Sequence, residues 1–408
     1  MERKPAIRDW LKRSIKLRLA GDDVNKLVDA RDRRRLRWMA EEADDPVLRF
    51  RALRCLAEIL DPNSAGLFLS HLCESPGELP TPIVRSAAEG IGRLLYRDGA
   101  PALRRLLRPN RPAAVQLAAA RALANLDTDE EWEAIRTWAR RADGKSHLIP
   151  SPSDDVEASR SDPQGTAPTM WVLEALYADK NPTWWNRKAT HWLKNTDSRP
   201  RLSSEKGADR IVAQEHRYAL ENHEVDDETF RRRALHLGML ARDRDFPFLV
   251  AMLEKEANPD RRRSLASSIG LTADPRGIPL LEAWLSEVPL DEEQIAVDIA
   301  LAAGRLAWPQ LSGPLASFRS RHPSTRVRQT VAWALGECGG EQAVRALLES
   351  VRKPDGPLPE EEFTWTCQAL LRCGNRGREA IRGGLTIARA GGGERDRLQR
   401  LAEATGLR

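Results

Sequence analysis

The sequence predicts an all-α protein, an α-solenoid formed as a superhelical stack of about nine helical hairpins. Three observations carry that expectation. A ten-residue apolar pattern recurs in register at 83–92, 115–124, 295–304 and 327–336, with weaker copies at 47–56, 229–238 and 261–270. Each copy is followed by a short turn and a second amphipathic segment. No segment alternates apolar and polar residues as a strand does.

The copies align on Ala52, Ala88, Ala120, Ala234, Ala266, Ala300 and Ala332, at steps of 36, 32, 114, 32, 34 and 32 residues. Alanine at mid-helix lets a neighbouring helix approach closely, near the lower end of the usual 8–10 Å between axes. Glycine at the tenth position (Gly92, Gly270, Gly304, Gly336) is suited to end the helix in the left-handed conformation. The turns read Arg-Asp-Gly at 97–99, Ala-Asp-Pro-Arg-Gly at 273–277 and Gly-Gly-Glu at 339–341. Pro101 and Pro279 then sit near the start of the second helix, where a missing N–H is tolerated.

The Val-Arg-x-x-Val-Ala-x-Ala-Leu-Gly helix at 327–336, the Asp-Pro turn at 274–275 and the period of 32–36 residues resemble HEAT repeats. The short HEAT-like class named after phycobilisome lyases is the most similar. The resemblance covers about seven units, over 44–142 and 225–391. It implies a superhelical stack, and it leaves function open among scaffolds, adaptors and a few enzymes. Nine units at about 10 Å each would make a curved rod about 90 Å long, with a concave surface lined by second helices.

Around this array the chain divides further. Residues 1–43 form a basic amino-terminal cap: the first 40 hold 13 basic and 6 acidic residues, while the whole 408-residue chain is only +5. Ile7, Trp10, Leu11 and Ile15 share a helical face flanked by Arg8, Lys12, Arg13 and Lys16. A first half-array spans 44–142. Residues 143–168, rich in Ser, Pro, Asp and Gly, read as a flexible insertion. Irregular tryptophan-rich helices fill 169–224, a second half-array spans 225–391, and 392–408 is a charged capping helix.

Composition narrows the function. Apolar residues are 41% and charged residues 31%, and no run of 18 apolar residues is present to span a bilayer. The first 20 residues lack the apolar core of a secretory signal, and five cysteines are too few for a disulfide scaffold, so a cytoplasmic location is expected. Gly144-Lys145-Ser146 is half of a phosphate-binding loop, but Ala139 stands where the first glycine belongs and a helix precedes it. The seven histidines form no His-x-x-x-His pair, no Cys-x-x-Cys occurs, and no cofactor or metal is implied. Cys367 and Cys373 are expected in the core.

Two groups are candidates for partner binding. Trp184, Trp185 and Trp192 share a basic helix with Arg187 and Lys188, and two adjacent tryptophans lie about 100° apart, so one core cannot take both. The second group is Arg8, Trp10, Lys12, Arg13 and Lys16. Arginines three residues before the anchors (Arg49, Arg85, Arg231, Arg263) would form a ladder, neutralised in the second half by acids such as Asp227, Glu228 and Asp260. The expected function is a non-enzymatic scaffold or adaptor holding a protein partner on its concave surface. One alternative is nucleic-acid binding, since the Trp184 helix is similar to part of the AlkD-like DNA glycosylases but lacks an aspartate between Trp184 and Trp192. Another is an accessory subunit of lyase type. Deoxyhypusine hydroxylases, a HEAT-like family with several His-Glu pairs for two irons, are matched here by His223-Glu224 alone. Membrane binding is not expected.

Overall fold

The computed structural model describes residues 32–73, 78–108, 110–126, 128–143, 208–222, 225–240, 245–352, 358–388 and 393–407. Among these there are nineteen α-helices and no strand. In the first half they are α1 (Arg33–Glu42), α2 (Pro46–Glu58), α3 (Ala65–Cys73), α4 (Thr81–Leu94), α5 (Ala100–Leu106), α6 (Ala113–Leu126) and α7 (Asp129–Asp143). The second half begins with α8 (Ala208–Glu221), α9 (Asp227–Leu240), α10 (Asp245–Lys255), α11 (Pro259–Leu271), α12 (Ile278–Glu287) and α13 (Glu293–Leu306). It continues through α14 (Ser312–Arg321), α15 (Thr325–Cys338), α16 (Gly340–Arg352), α17 (Glu360–Arg372), α18 (Asn375–Ile387) and α19 (Gly393–Ala404).

Local chemistry sets the helix starts. Asp45, Asn258 and Ser324 accept from the backbone N–H of Val47, Asp260 and Val327 at 2.8, 2.9 and 3.3 Å. These side chains satisfy donors that the first turn leaves orphaned. Short 3-10 turns at Pro62–Ser64, Arg97–Gly99, Pro275–Gly277 and Pro309–Leu311 lead from a first helix into a second. Pro101 and Pro279 lie in the first turn of α5 and α12, as expected.

The first helices stack in order, α2 on α4 on α6, and α9 on α11 on α13 on α15 on α17. Second helices line up beside them, with α12, α14, α16 and α18 in successive contact. The alanine anchors are all buried, from Ala52 to Ala332. Helix α8 packs on α9, and α19 closes the far end against α16 and α18.

Two expectations need correction. Gly92, Gly270, Gly304 and Gly336 do not end their helices, which run two residues further or one in the case of Gly270. A β-carbon at Gly270 would lie 2.4 Å from the Ala302 carbonyl oxygen, and one at Gly336 2.7 Å from the Ala369 α-carbon. These glycines let one first helix touch the backbone of the next. The left-handed residue instead falls three positions later, at Leu95, Ala273, Ala307 and Gly339.

The array is also not a single rod. Helix α6, with Ala-Ala-Val-Gln-Leu-Ala-Ala-Ala, buries eleven of its fourteen residues, more than one row of second helices can cover. The first half lies side by side with the second, and one continuous apolar core runs from Leu36 to Ala402 through both.

Candidate functional site at the junction of the half-arrays

Helix α4 crosses the carboxyl-terminal ends of the second half's first helices. Thr81, in its first turn, donates its hydroxyl to the Glu337 carbonyl at 2.8 Å. Arg93, in its last turn, donates to the Leu240 carbonyl at 2.8 Å. Helix α2 crosses in the same sense. The ring of Phe50 meets Trp308 edge-on, with centroids 5.4 Å apart, and Trp308 donates its indole N–H to the Ala273 carbonyl at 2.8 Å. Cations from one half thus approach the negative helix ends of the other.

The charges at this junction are buried and paired. Arg54 lies 3.7 Å from Asp274, which also pairs with Arg276 at 2.7 Å. Burial raises the Asp274 carboxyl, but Arg276 and Arg54 outweigh it and hold the group below its ordinary value. Arg85 pairs with Glu89 at 2.9 Å. At the other end, Glu337 accepts from the N–H groups of Ala113 and Ala114 at 3.0 and 3.3 Å, and lies 3.3 Å from Arg372. Burial pushes the Glu337 carboxyl above its ordinary value, more than Arg372 and the two amides offset.

Beside Glu337 the halves enclose a cavity of about 210 Å³. Arg111 and Glu78 line it from the first half; Arg372, Arg376, Gly339 and Gly340 line it from the second. Cys338 and Cys373 also reach it, and burial pushes Cys373 up to about 12, so this thiol stays protonated. Cys367 is buried too and is raised to about 12 by its burial, in keeping with the expected core role of both residues.

Residues 327–353, most of α15 and α16, match the family model of the PBS lyase HEAT-like repeat. The repeats are HEAT-like. No curated protein matches the sequence. A solved structure of the UNC-45 chaperone, studied for features critical for binding and folding muscle myosin, aligns at 13% identity with a TM-score of 0.25. That alignment covers 94% of this chain and 52% of the other, so this chain spans about half its length. So loose a likeness carries no argument about function.

Both candidate groups from the sequence lie outside the described residues: Trp184, Trp185, Arg187, Lys188 and Trp192, and Arg8, Trp10, Lys12, Arg13 and Lys16. The insertion after residue 143 and the central tryptophan-rich stretch up to 207 also lie outside them. The arginine ladder is described, and its second half is neutralised. Arg231 and Arg232 both pair with Glu228, Arg261 pairs with Asp227 at 2.6 Å, and Arg263 bridges Asp260 and Asp298. Among the described residues no group of three His, Cys, Asp or Glu is arranged to hold a metal, and no helix is long and apolar enough to cross a membrane. Sequence reasoning missed Glu337, Arg111, Arg376 and Trp308, because their roles depend on contacts between the halves.

Proposed function

We propose that this HEAT-like protein is a non-enzymatic scaffold that holds a protein partner on the outer faces of its second helices. One observation carries the reading. The row α12, α14, α16, α18 is continuous, and its outer side chains, among them Ser286, Ser317, Glu349, Arg382 and Ile387, are exposed. Ile387 is 80% exposed, an apolar side chain on a row that also exposes Glu349 and Arg382. That mixture suits a protein surface better than a phosphate backbone, which calls for a continuous basic stripe. The basic segment around Arg8 to Lys16 and the segment from Trp184 to Trp192 are proposed as further contacts with the same partner.

The test compares the full chain with a variant carrying Glu349→Lys, Arg382→Glu and Ile387→Asp. The variant should melt like the parent and lose the protein that the parent captures from its own cell extract. Steep salt-dependent retention of the parent on duplex DNA, losing roughly a thousandfold in affinity between 50 and 200 mM salt, would overturn the reading in favour of nucleic acid.

A further inference from the structure

We propose that the cavity between the half-arrays is a binding site for a phosphate group, clamped by Arg111 of one half and Arg376 of the other. The first argument is charge. Most arginines at the junction have a carboxylate or a helix-end carbonyl opposite them, as Arg54, Arg85, Arg93 and Arg372 do. Arg111 and Arg376 make no side-chain hydrogen bond or ion pair among the described residues, yet both line one cavity. Arg111 is half-buried. Its burial, together with the like charges of Arg108 and Arg105, pulls its pKa down, so its cation lacks compensation there.

The nearby carboxylates do not supply that compensation. Glu337 is taken up by Arg372 and by the amides of Ala113 and Ala114. Glu78 is exposed at the rim. With Arg372 paired to Glu337, the two remaining arginines, Arg111 and Arg376, face one rim carboxylate. Gly340, the first residue of the 13-residue α16, lines the same space and adds the positive end of a helix to the arginine side chains.

The second argument is size. At about 210 Å³ the cavity falls below the 300–1,000 Å³ of sites for drug-sized ligands. A small tetrahedral oxyanion fits that space, and arginine forks match phosphate oxygens in pairs. Because the two free arginines belong to different halves, a bound phosphate ties the halves together. The site is separate from the outer second-helix surface, so it stands or falls independently of the partner reading.

The experiment is a thermal melt of the full chain in inorganic phosphate at about 10 mM or less, beside potassium chloride of equal ionic strength. That concentration is low enough to avoid the general stabilisation given by excluded salts. Phosphate should raise the melting temperature by about 2 °C or more, and chloride should not. Arg376→Gln, which changes an exposed side chain, and Arg111→Gln should each abolish the shift. Arg345→Gln, on the exposed face of α16, should keep it. Glycerol phosphate runs as a parallel arm. A larger shift than with inorganic phosphate identifies a phosphate carried on a larger molecule, and a smaller one identifies the free ion. Equal shifts in phosphate and chloride, or a phosphate shift that survives Arg376→Gln, would overturn the proposal.

Discussion

Glu337 caps a helix that begins 224 residues before it, its carboxylate accepting from the backbone N–H of Ala113 at 3.0 Å. A helix start normally finds its acceptor in the residue just before it. Here the other half-array supplies it, and the same carboxylate answers Arg372. Glu337→Ala should therefore remove two amide acceptors and strand a buried arginine. The expected loss is about 3 kcal/mol in urea unfolding. Glu337→Gln keeps an acceptor oxygen and removes a charge that burial already disfavours. It should cost at least about 1 kcal/mol less than the alanine change. Equal losses for the two variants would mean that the charge, not the cap, matters.

The Phe50–Trp308 contact joins the apolar cores of the two halves, and both rings are buried. Phe50→Ala leaves a hole at that joint. The loss should be about 3–5 kcal/mol, as for other buried phenylalanines. A denaturant midpoint within error of the parent would show that the halves are held elsewhere.

Acid should expose the role of Asp274. Its carboxyl titrates below its ordinary 3.8 in the folded chain, held there by Arg276 and Arg54 against the opposing effect of burial. A depressed value means that the stabilisation is complete above 3.8 and is lost as pH falls through the lower, folded value. The stability gap between the parent and Asp274→Asn should thus be constant from pH 7 to about 5 and shrink below about 4. Urea midpoints measured across that range check it. A gap that widens in acid would reverse the sign.

The glycine column gives a matched pair. Gly336→Ala must push α15 away from Ala369, and overpacking of this kind costs about 1–3 kcal/mol. Gly66, within α3, has nothing within 4 Å of where a β-carbon would sit. Gly66→Ala should be neutral or stabilising by up to about 1 kcal/mol through helix propensity alone. Thermal melts of the two variants separate close approach from backbone preference.

Much of this fold was legible in the sequence because a repeat writes its local rules many times. The buried anchors Ala88, Ala300 and Ala332, the turn prolines and the neutralised arginines at 231 and 263 all follow from periodicity and charge spacing. Gly270 and Gly336 were legible as special positions and misread in kind, since a helix C-cap and a close approach both favour glycine at the same place. The junction was not legible. In Trp-Ala-Leu-Gly-Glu-Cys, Glu337 looks like any glutamate near a helix end, and nothing local marks its distant partner at Ala113. The cavity arginines were hidden for the same reason, with Arg111 and Arg376 meeting only once two distant repeats lie side by side.

Linear repeat arrays fold with low contact order, since every unit touches only its neighbours and unravelling can start at either end. The bonds from Thr81 and Ala113 to Glu337 span 256 and 224 residues, which gives this chain a set of contacts more typical of a non-local topology. Loss of the repeat that carries Glu337 would uncap α6, 224 residues before it, so α6 and α15 cannot open independently. Refolding should accordingly be slower than in an open array of similar length, and native-state hydrogen exchange should show α4, α6 and α15 opening together rather than in sequence from one end.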